Sequence, residues 1–131
     1  MRSAEHRSAC PVATTLDLVG DKWSLLIVRD MLGGKMRYGE FRDSAEGITT
    51  NVLASRLKSL EAEGLIAKKL YSQHPPRWEY ELTAKGRELG NIVGDLAVWG
   101  MRHLQDVQMA KWIPKALTDQ AFERYTEGGP R

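Results

Sequence analysis

Asn51, Ser55 and Lys58 follow one another at steps of four and three, the spacing that puts an amide, a hydroxyl and an ammonium on one face of a helix. Such a face is equipped to recognise rather than to react. A carboxamide donates and accepts side by side, as the adenine edge in the major groove of DNA requires, so Asn51 is the leading candidate for reading a base. Thr49, Thr50 and Ser55 are smaller contributors of the same kind. Lys58, with Arg37 and Arg77 elsewhere in the chain, supplies charge of the sort that meets phosphates and so positions a protein without reading sequence. Arg56 lies nearer the apolar side of the same helix; its stem should pack while its guanidinium reaches a phosphate or a neighbouring carboxylate. Cys10 is the one candidate for thiol chemistry, placed before Pro11 at a helix start where the dipole and free N–H groups favour a thiolate. The plainer reading of Cys10 is a small packing residue, and both stand at this stage.

The element that must carry the first group is a helix with both ends marked in the sequence. Thr49 is an N-cap, Ile48 and Leu53 stand at the two positions of a hydrophobic staple, and Gly64 is the left-handed stop after the last turn. Leu53, Leu57 and Leu60 form its apolar stripe, with Val52 on the flank. Opposite them, Asn51, Ser55, Lys58 and Ala62 leave an outer face without a carboxylate in the first three turns. A solvated face usually mixes both signs, so this one suits a helix that enters a major groove.

Around that helix the chain reads in order. Residues 1–9 are polar and expected to be flexible. A helix should run from Cys10-Pro11 to about Val19, stopped by Gly20, and Asp21 can cap the next, Lys22 to Leu32, which is apolar nearly all round and therefore expected as the buried scaffold. Gly33-Gly34 ends it, Lys35-Met36-Arg37 is a short basic turn, and Tyr38 to Asp43 makes a short helix around Phe41. Two short helices joined by a Gly-containing turn are a helix-turn-helix pattern. After Gly64 the period changes to two: Leu65 to Tyr71 and Trp78 to Leu82 read as strands, with Trp78, Tyr80 and Leu82 on one face. Between them Ser72 to Arg77, with Pro75 and Pro76, is a stiff loop, so the hairpin reads as a wing. Thr83 then caps a long helix from Ala84 to about Val107, whose apolar face exceeds what its own domain needs and is expected to bury against a second chain, with Gly90, Gly94 and Gly100 allowing close approach. Pro114 should break the helix, and Thr118 to Tyr125 makes a last short one.

The expected fold class is therefore α+β, mainly helical: a winged helix-turn-helix with added N- and C-terminal dimerisation helices. Its parts are a flexible 1–9, the winged domain with its dimerisation helix over 10–107, and an extension over 108–131. At 131 residues, 42% hydrophobic and 27% charged, the chain suits one globular domain. No apolar run reaches the roughly 18 residues of a membrane span and the N-terminus lacks the apolar core of a signal peptide, so a cytoplasmic location is expected. Net charge is only +2, but Lys35 to Arg77 holds eight Lys or Arg against five acids. A single cysteine excludes an intramolecular disulfide, and His6, His74 and His103 share no metal-ligand spacing, so neither metal nor cofactor is expected.

A set of short motifs, in order, resembles the HxlR-type winged helix-turn-helix transcriptional regulators. These are Cys10-Pro11-Val12, Leu16 to Trp23, Leu25-Leu26-Ile27, Gly47-Ile48, Leu53 to Leu57, Leu60 to Ile66, Pro75-Pro76-Arg77, Glu79-Tyr80, Leu82-Thr83, Gly86 and Trp99-Gly100. The resemblance covers roughly residues 10–104. It implies a homodimer on double-stranded operator DNA, of near-palindromic sequence, with the reading helix in the major groove and the wing along the backbone, acting as a repressor or other regulator. It also implies that Cys10 stands where some members sense oxidants or electrophiles. Gly39 departs from the pattern, since many relatives carry a hydroxyl or amide there. Three alternatives stay open: a winged module that binds only other proteins, a regulator that answers a small non-covalent ligand, and a thiol enzyme built on Cys10. The last would need a base and an oxyanion donor beside the thiol, and the sequence offers neither.

Overall fold

Leu53, Leu57 and Leu60 lie at the spacing of one helical stripe, and all three are at most 2% exposed. In the computed structural model, which describes residues 7–109 and 113–127, they anchor α4 (Thr50–Ala62) to the core. Before it come α1 (Pro11–Val19), α2 (Ser24–Leu32) and α3 (Tyr38–Arg42); after it come β1 (Ile66–Gln73), β2 (Pro76–Leu82), α5 (Ala84–Arg87), α6 (Gly90–His103) and α7 (Lys115–Glu127). The core gathers Val28, Phe41, Ile48, Leu65, Ile66, Leu82 and Val93 from nearly every one of these elements.

Both ends of α4 form as their residues dictate. Thr49 accepts from the Val52 N–H at its start. At its end Gly64 takes φ +76°, so that its N–H reaches Glu61 O and the Leu65 N–H reaches Leu60 O, while Leu60 and Leu65 are buried together. The orphan carbonyls beyond are served from later in the chain, where Lys85 Nζ donates to Glu63 O at 2.7 Å and the Thr83 hydroxyl to Gly64 O at 2.6 Å.

The hairpin is antiparallel, pairing Ile66 with Leu82, Lys68 with Tyr80 and Leu70 with Trp78, with a bulge at Tyr71. Along β2 the face carrying Leu82, Tyr80 and Trp78 runs from buried through half-buried to exposed, as expected of a sheet that leaves the core toward a tip. The strands reach further than their periodicity suggested, so the turn is only His74-Pro75, joined by a cis bond, rather than the six-residue loop expected. A second difference concerns Lys35-Met36-Arg37. This segment is not a free turn: Met36 O accepts from the Tyr80 N–H at 2.6 Å and Arg37 bridges Glu79, which adds a short third edge to the hairpin.

Four further expectations are corrected. The helix α2 begins at Ser24 and is not apolar all round, because Ser24, Arg29 and Asp30 are buried in it while Leu25 and Leu26 are only half-buried. The long helix from Ala84 to Val107 is two helices, broken at Glu88-Leu89, and the second ends at His103, one turn past Gly100, where Leu104 goes extended. Lastly, Gly90 and Gly94 face this chain's own α7: a Cβ on Gly94 would stand 2.8 Å from Leu117 O, and one on Gly90 3.3 Å from the Leu117 side chain. Their close approach is spent inside the chain, where Thr118 and Ala121 of α7 are buried. The last helix is thus longer than Thr118 to Tyr125, and Pro114 starts it, accepting from the Leu117 N–H, rather than ending another. Residues 1–6 and the tail from Gly128 lie outside the described residues.

Gly86 explains how α5 closes on the link between α4 and β1. A Cβ there would lie 2.0 Å from Leu65 O, a backbone atom with no freedom to withdraw. Gly86→Ala should therefore lower unfolding free energy by about 3 kcal/mol, as overpacking against rigid structure does. Urea unfolding measures this, and a loss within error of zero would show that α5 yields easily.

Candidate nucleic-acid interface

Thr50, Asn51, Ser55 and Lys58 are all exposed on the outer side of α4, as their spacing predicts. Thr49 spends its oxygen on the cap but keeps its hydroxyl proton for donation. The first turn is held from outside as well, by the Tyr38 hydroxyl of α3, which donates to Thr50 O at 3.0 Å. Beside this turn an open cleft runs between Asn51, Val52, Ser55 and Arg56 on one wall and Asp21 and Trp23 on the other.

Arg56 faces a carboxylate here. Its Nη1 stands 3.7 Å from Asp21 Oδ1 and its Nη2 donates to Ser55 Oγ at 3.3 Å. Asp21 in turn accepts from the N–H groups of Trp23 and Ser24, both at 3.0 Å, and from the Ser24 hydroxyl, so it caps α2 from two residues ahead of the first turn. Burial alone would push the Asp21 carboxyl up; the Ser24 hydroxyl, the two N–H groups and Arg56 outweigh it and hold the carboxyl below its usual range. The charge of this carboxylate is thereby compensated. Lys22, exposed next to it with its ammonium 5.3 Å from the centre of the Trp23 ring, adds a cation to this face. Sequence reasoning passed over Lys22, because a lone lysine between a cap and a buried helix has no pattern to mark it.

Arg37 and Arg77 lie on the wing side. Arg37 stacks over the Tyr71 ring at 4.1 Å and approaches Glu79 at 3.7 Å, so its guanidinium is held against the hairpin; Arg77 is exposed near the tip, opposite Ser72. Tyr71 was not singled out in the sequence, since its position opposite Arg37 follows from the third edge of the sheet. Cys10 is exposed at the N-cap of α1, away from any second cysteine.

Behind the turn that leads into α4 sits a partly buried ionic cluster. Arg29 on α2 grips Glu46 with two bonds, Nη1 to Oε2 at 2.9 Å and Nη2 to Oε1 at 2.8 Å, and holds Asp30 through Nε at 3.1 Å and Nη2 at 2.8 Å. Asp30, 2% exposed, also accepts from the Ser44 hydroxyl, and Lys35 donates to that hydroxyl at 3.2 Å. Ser44 and Glu46 belong to the turn between α3 and α4. The cluster therefore ties the turn of the helix-turn-helix to α2, and the sequence did not single it out because the apolar neighbours of Arg29 and Asp30 hid them.

A helix-turn-helix with a hairpin wing, an exposed polar first turn on the second helix and cations along both defines a winged helix-turn-helix protein built to meet DNA. The chain belongs to the HxlR-like helix-turn-helix family, whose model matches residues 18–115. It is 41% identical over 95 residues to the HTH-type transcriptional regulator YybR of Bacillus subtilis (72% of this chain, 76% of that one), and 35% identical over 114 residues to YdeP of the same organism (87% and 89%). Among solved structures, the redox regulator HypR in its oxidised form superposes with a TM-score of 0.68 at 42% identity, covering 75% of this chain and 100% of that one. These relatives are transcriptional regulators and not enzymes. Among the described residues no helix is long and apolar enough to cross a membrane.

The cluster has a pH signature. Hydrogen bonds from Arg29 hold the Glu46 carboxyl below its usual range, and the N–H groups of Met36 and Arg37 do the same for Glu40. A depressed folded-state pKa adds stability that is complete above the unfolded value, about 4.3 for Glu, and is lost as pH falls through the folded value. Unfolding free energy should thus decline below about pH 5. Glu46→Gln should lower it by about 1 kcal/mol at neutral pH, discounted for the partial exposure of Glu46, and flatten the decline. Denaturant titrations of both proteins across this range check it; parallel pH profiles would remove Glu46 from the account.

Proposed function

We propose that the protein is a homodimeric, sequence-specific regulator that sets α4 in the major groove of near-palindromic operator DNA in the cytoplasm. The observation that carries this is the outer face of α4: Thr50, Asn51, Ser55 and Lys58 exposed together, with no carboxylate from Thr50 to Leu60. In this reading Asn51 reads a base, Thr49, Thr50 and Ser55 contribute hydrogen bonds, and Lys58, Arg37 and Arg77 meet phosphates. Arg56 shares its charge between Asp21 and the backbone of the DNA. Lys22 joins the phosphate set.

The dimer rests on apolar stripes left exposed among the described residues. Val12 and Leu16 on α1 share a face, as do Ile92, Leu96 and Trp99 on α6, and Val12 and Leu96 are 68% and 56% exposed. A two-fold pair of such faces would hold two reading helices about 34 Å apart, in successive grooves on one side of the duplex. Cys10 sits two residues before Val12, so an adduct on its thiol, or a bond to its mate, would disturb this pairing. The likeness to a redox regulator supports that reading of Cys10.

Binding measured by fluorescence anisotropy, on DNA from upstream of its own gene and on random DNA, separates reading from positioning. Asn51→Ala should lose about 1–3 kcal/mol on the operator and much less on random DNA. Arg77→Ala should weaken both and lower the slope of log affinity against log salt by about one. Equal losses on both DNAs for Asn51→Ala would strike it from the reading set.

Sedimentation with and without diamide addresses the rest. Wild type should be a dimer at concentrations that saturate DNA, and Leu96→Glu a monomer with reduced affinity. Diamide should weaken operator binding of wild type and leave Cys10→Ser unchanged. Full affinity after the thiol has demonstrably reacted would make Cys10 a packing residue.

A further inference from the structure

The half-burial of Leu25 and Leu26, in a helix otherwise packed into the core, has a cause: they face a cavity of about 290 Å³ between α2 and α6. Ala97 and Met101 of α6 form the opposite wall, and Met109 and Ile113 contribute from the segment before α7. Polar atoms are few. Arg29 and Gln108 are the residues with polar side chains, and no carboxylate lines the cavity among the described residues.

We propose that this cavity is an effector site for a small uncharged molecule, aromatic or alicyclic, bearing at most a hydroxyl or carbonyl. Size and lining both argue for it. The volume lies at the lower end of small-molecule sites, and in a half-open cleft with mostly apolar walls a hydrocarbon ring displaces water that finds few partners there. Two methionines give walls that adapt to shape. Charge decides against ions. An anion drawn to Arg29 would compete with Glu46 and Asp30, which already hold that guanidinium, while a cation would find no carboxylate in the lining.

The site is placed to report. Arg29 is at once a wall of the cavity and the clamp on Glu46 in the turn before α4, so an occupant that shifts α2 against α6 carries the intact clamp, and with it the turn before the reading helix. Leu96 lines the cavity and also belongs to the exposed stripe of α6, which joins the occupant to the proposed dimer face. This second step, from occupancy to DNA affinity, rests on the DNA-binding reading above; occupancy itself does not.

The probe is 1-naphthol, added to the full chain with labelled methyl groups. Binding should saturate, with intermolecular NOEs from the ring to the methyls of Leu25, Leu26 and Met101. Ala97→Phe, folded by circular dichroism, should weaken binding at least tenfold, and Leu70→Ser on the wing should leave it unchanged. If Ala97→Phe does not fold, the NOEs decide alone. Absence of saturable binding, or NOEs confined to Val12 and Leu16, overturns the site. Saturating 1-naphthol should then change affinity for DNA from upstream of its own gene at least threefold; occupancy with no change overturns the coupling. A chain that binds the probe in the cavity but no DNA at all refutes the regulator reading and leaves the site standing.

Discussion

The bidentate grip of Arg29 on Glu46, with Asp30 alongside, is the constraint that the rest of this molecule depends on. A helix presented at a surface needs a defined direction; the interdigitated stripe of Leu53, Leu57 and Leu60 supplies part of it, and the ionic cluster adds a tie between the turn before α4 and α2. A planar guanidinium held by two carboxylates is directional. Burying it costs desolvation, which four hydrogen bonds from one arginine and the hydroxyl of Ser44 offset by leaving the carboxylates well partnered. The same geometry makes the helix-turn-helix sensitive to whatever touches Arg29 from the α2 side.

Close backbone approach does comparable work at the other end of the chain. Gly86 lets α5 press on the link between α4 and β1, and Gly94 lets α7 press on α6, each where a Cβ would collide with a carbonyl. Two glycines thus tie the wing's exit and the C-terminal helix to the winged core. With α7 occupying one side of α6, the exposed large apolar side chains on that helix are Ile92, Leu96, Trp99 and Met101.

Charge on the recognition side is managed in pairs. Asp21 is compensated by Arg56, and Glu79 by Arg37 and by Lys69 at 3.8 Å, so the acids near this surface are tied up while Lys22, Lys58 and Arg77 stay exposed. The net balance of the chain, close to neutral, conceals this arrangement, which a phosphate backbone would meet as positive.

Local chemistry settled most of what the sequence alone determined. Caps, the left-handed stop at Gly64, the leucine stripe and the alternation of Trp78, Tyr80 and Leu82 act within a few residues, so α4, its exposed face and the hairpin were legible, as was the family from motifs in order. Tertiary structure decided what depends on distant partners. Nothing within four residues of Arg29 announces Glu46, seventeen positions on; nothing near Met36 announces Tyr80; and an unbroken apolar period from Ala84 onward cannot reveal that α5 and α6 must part so that Gly86 and Gly94 each meet a different backbone. Periodicity records which side of an element avoids water, whereas the identity of what covers that side is set by packing across the fold.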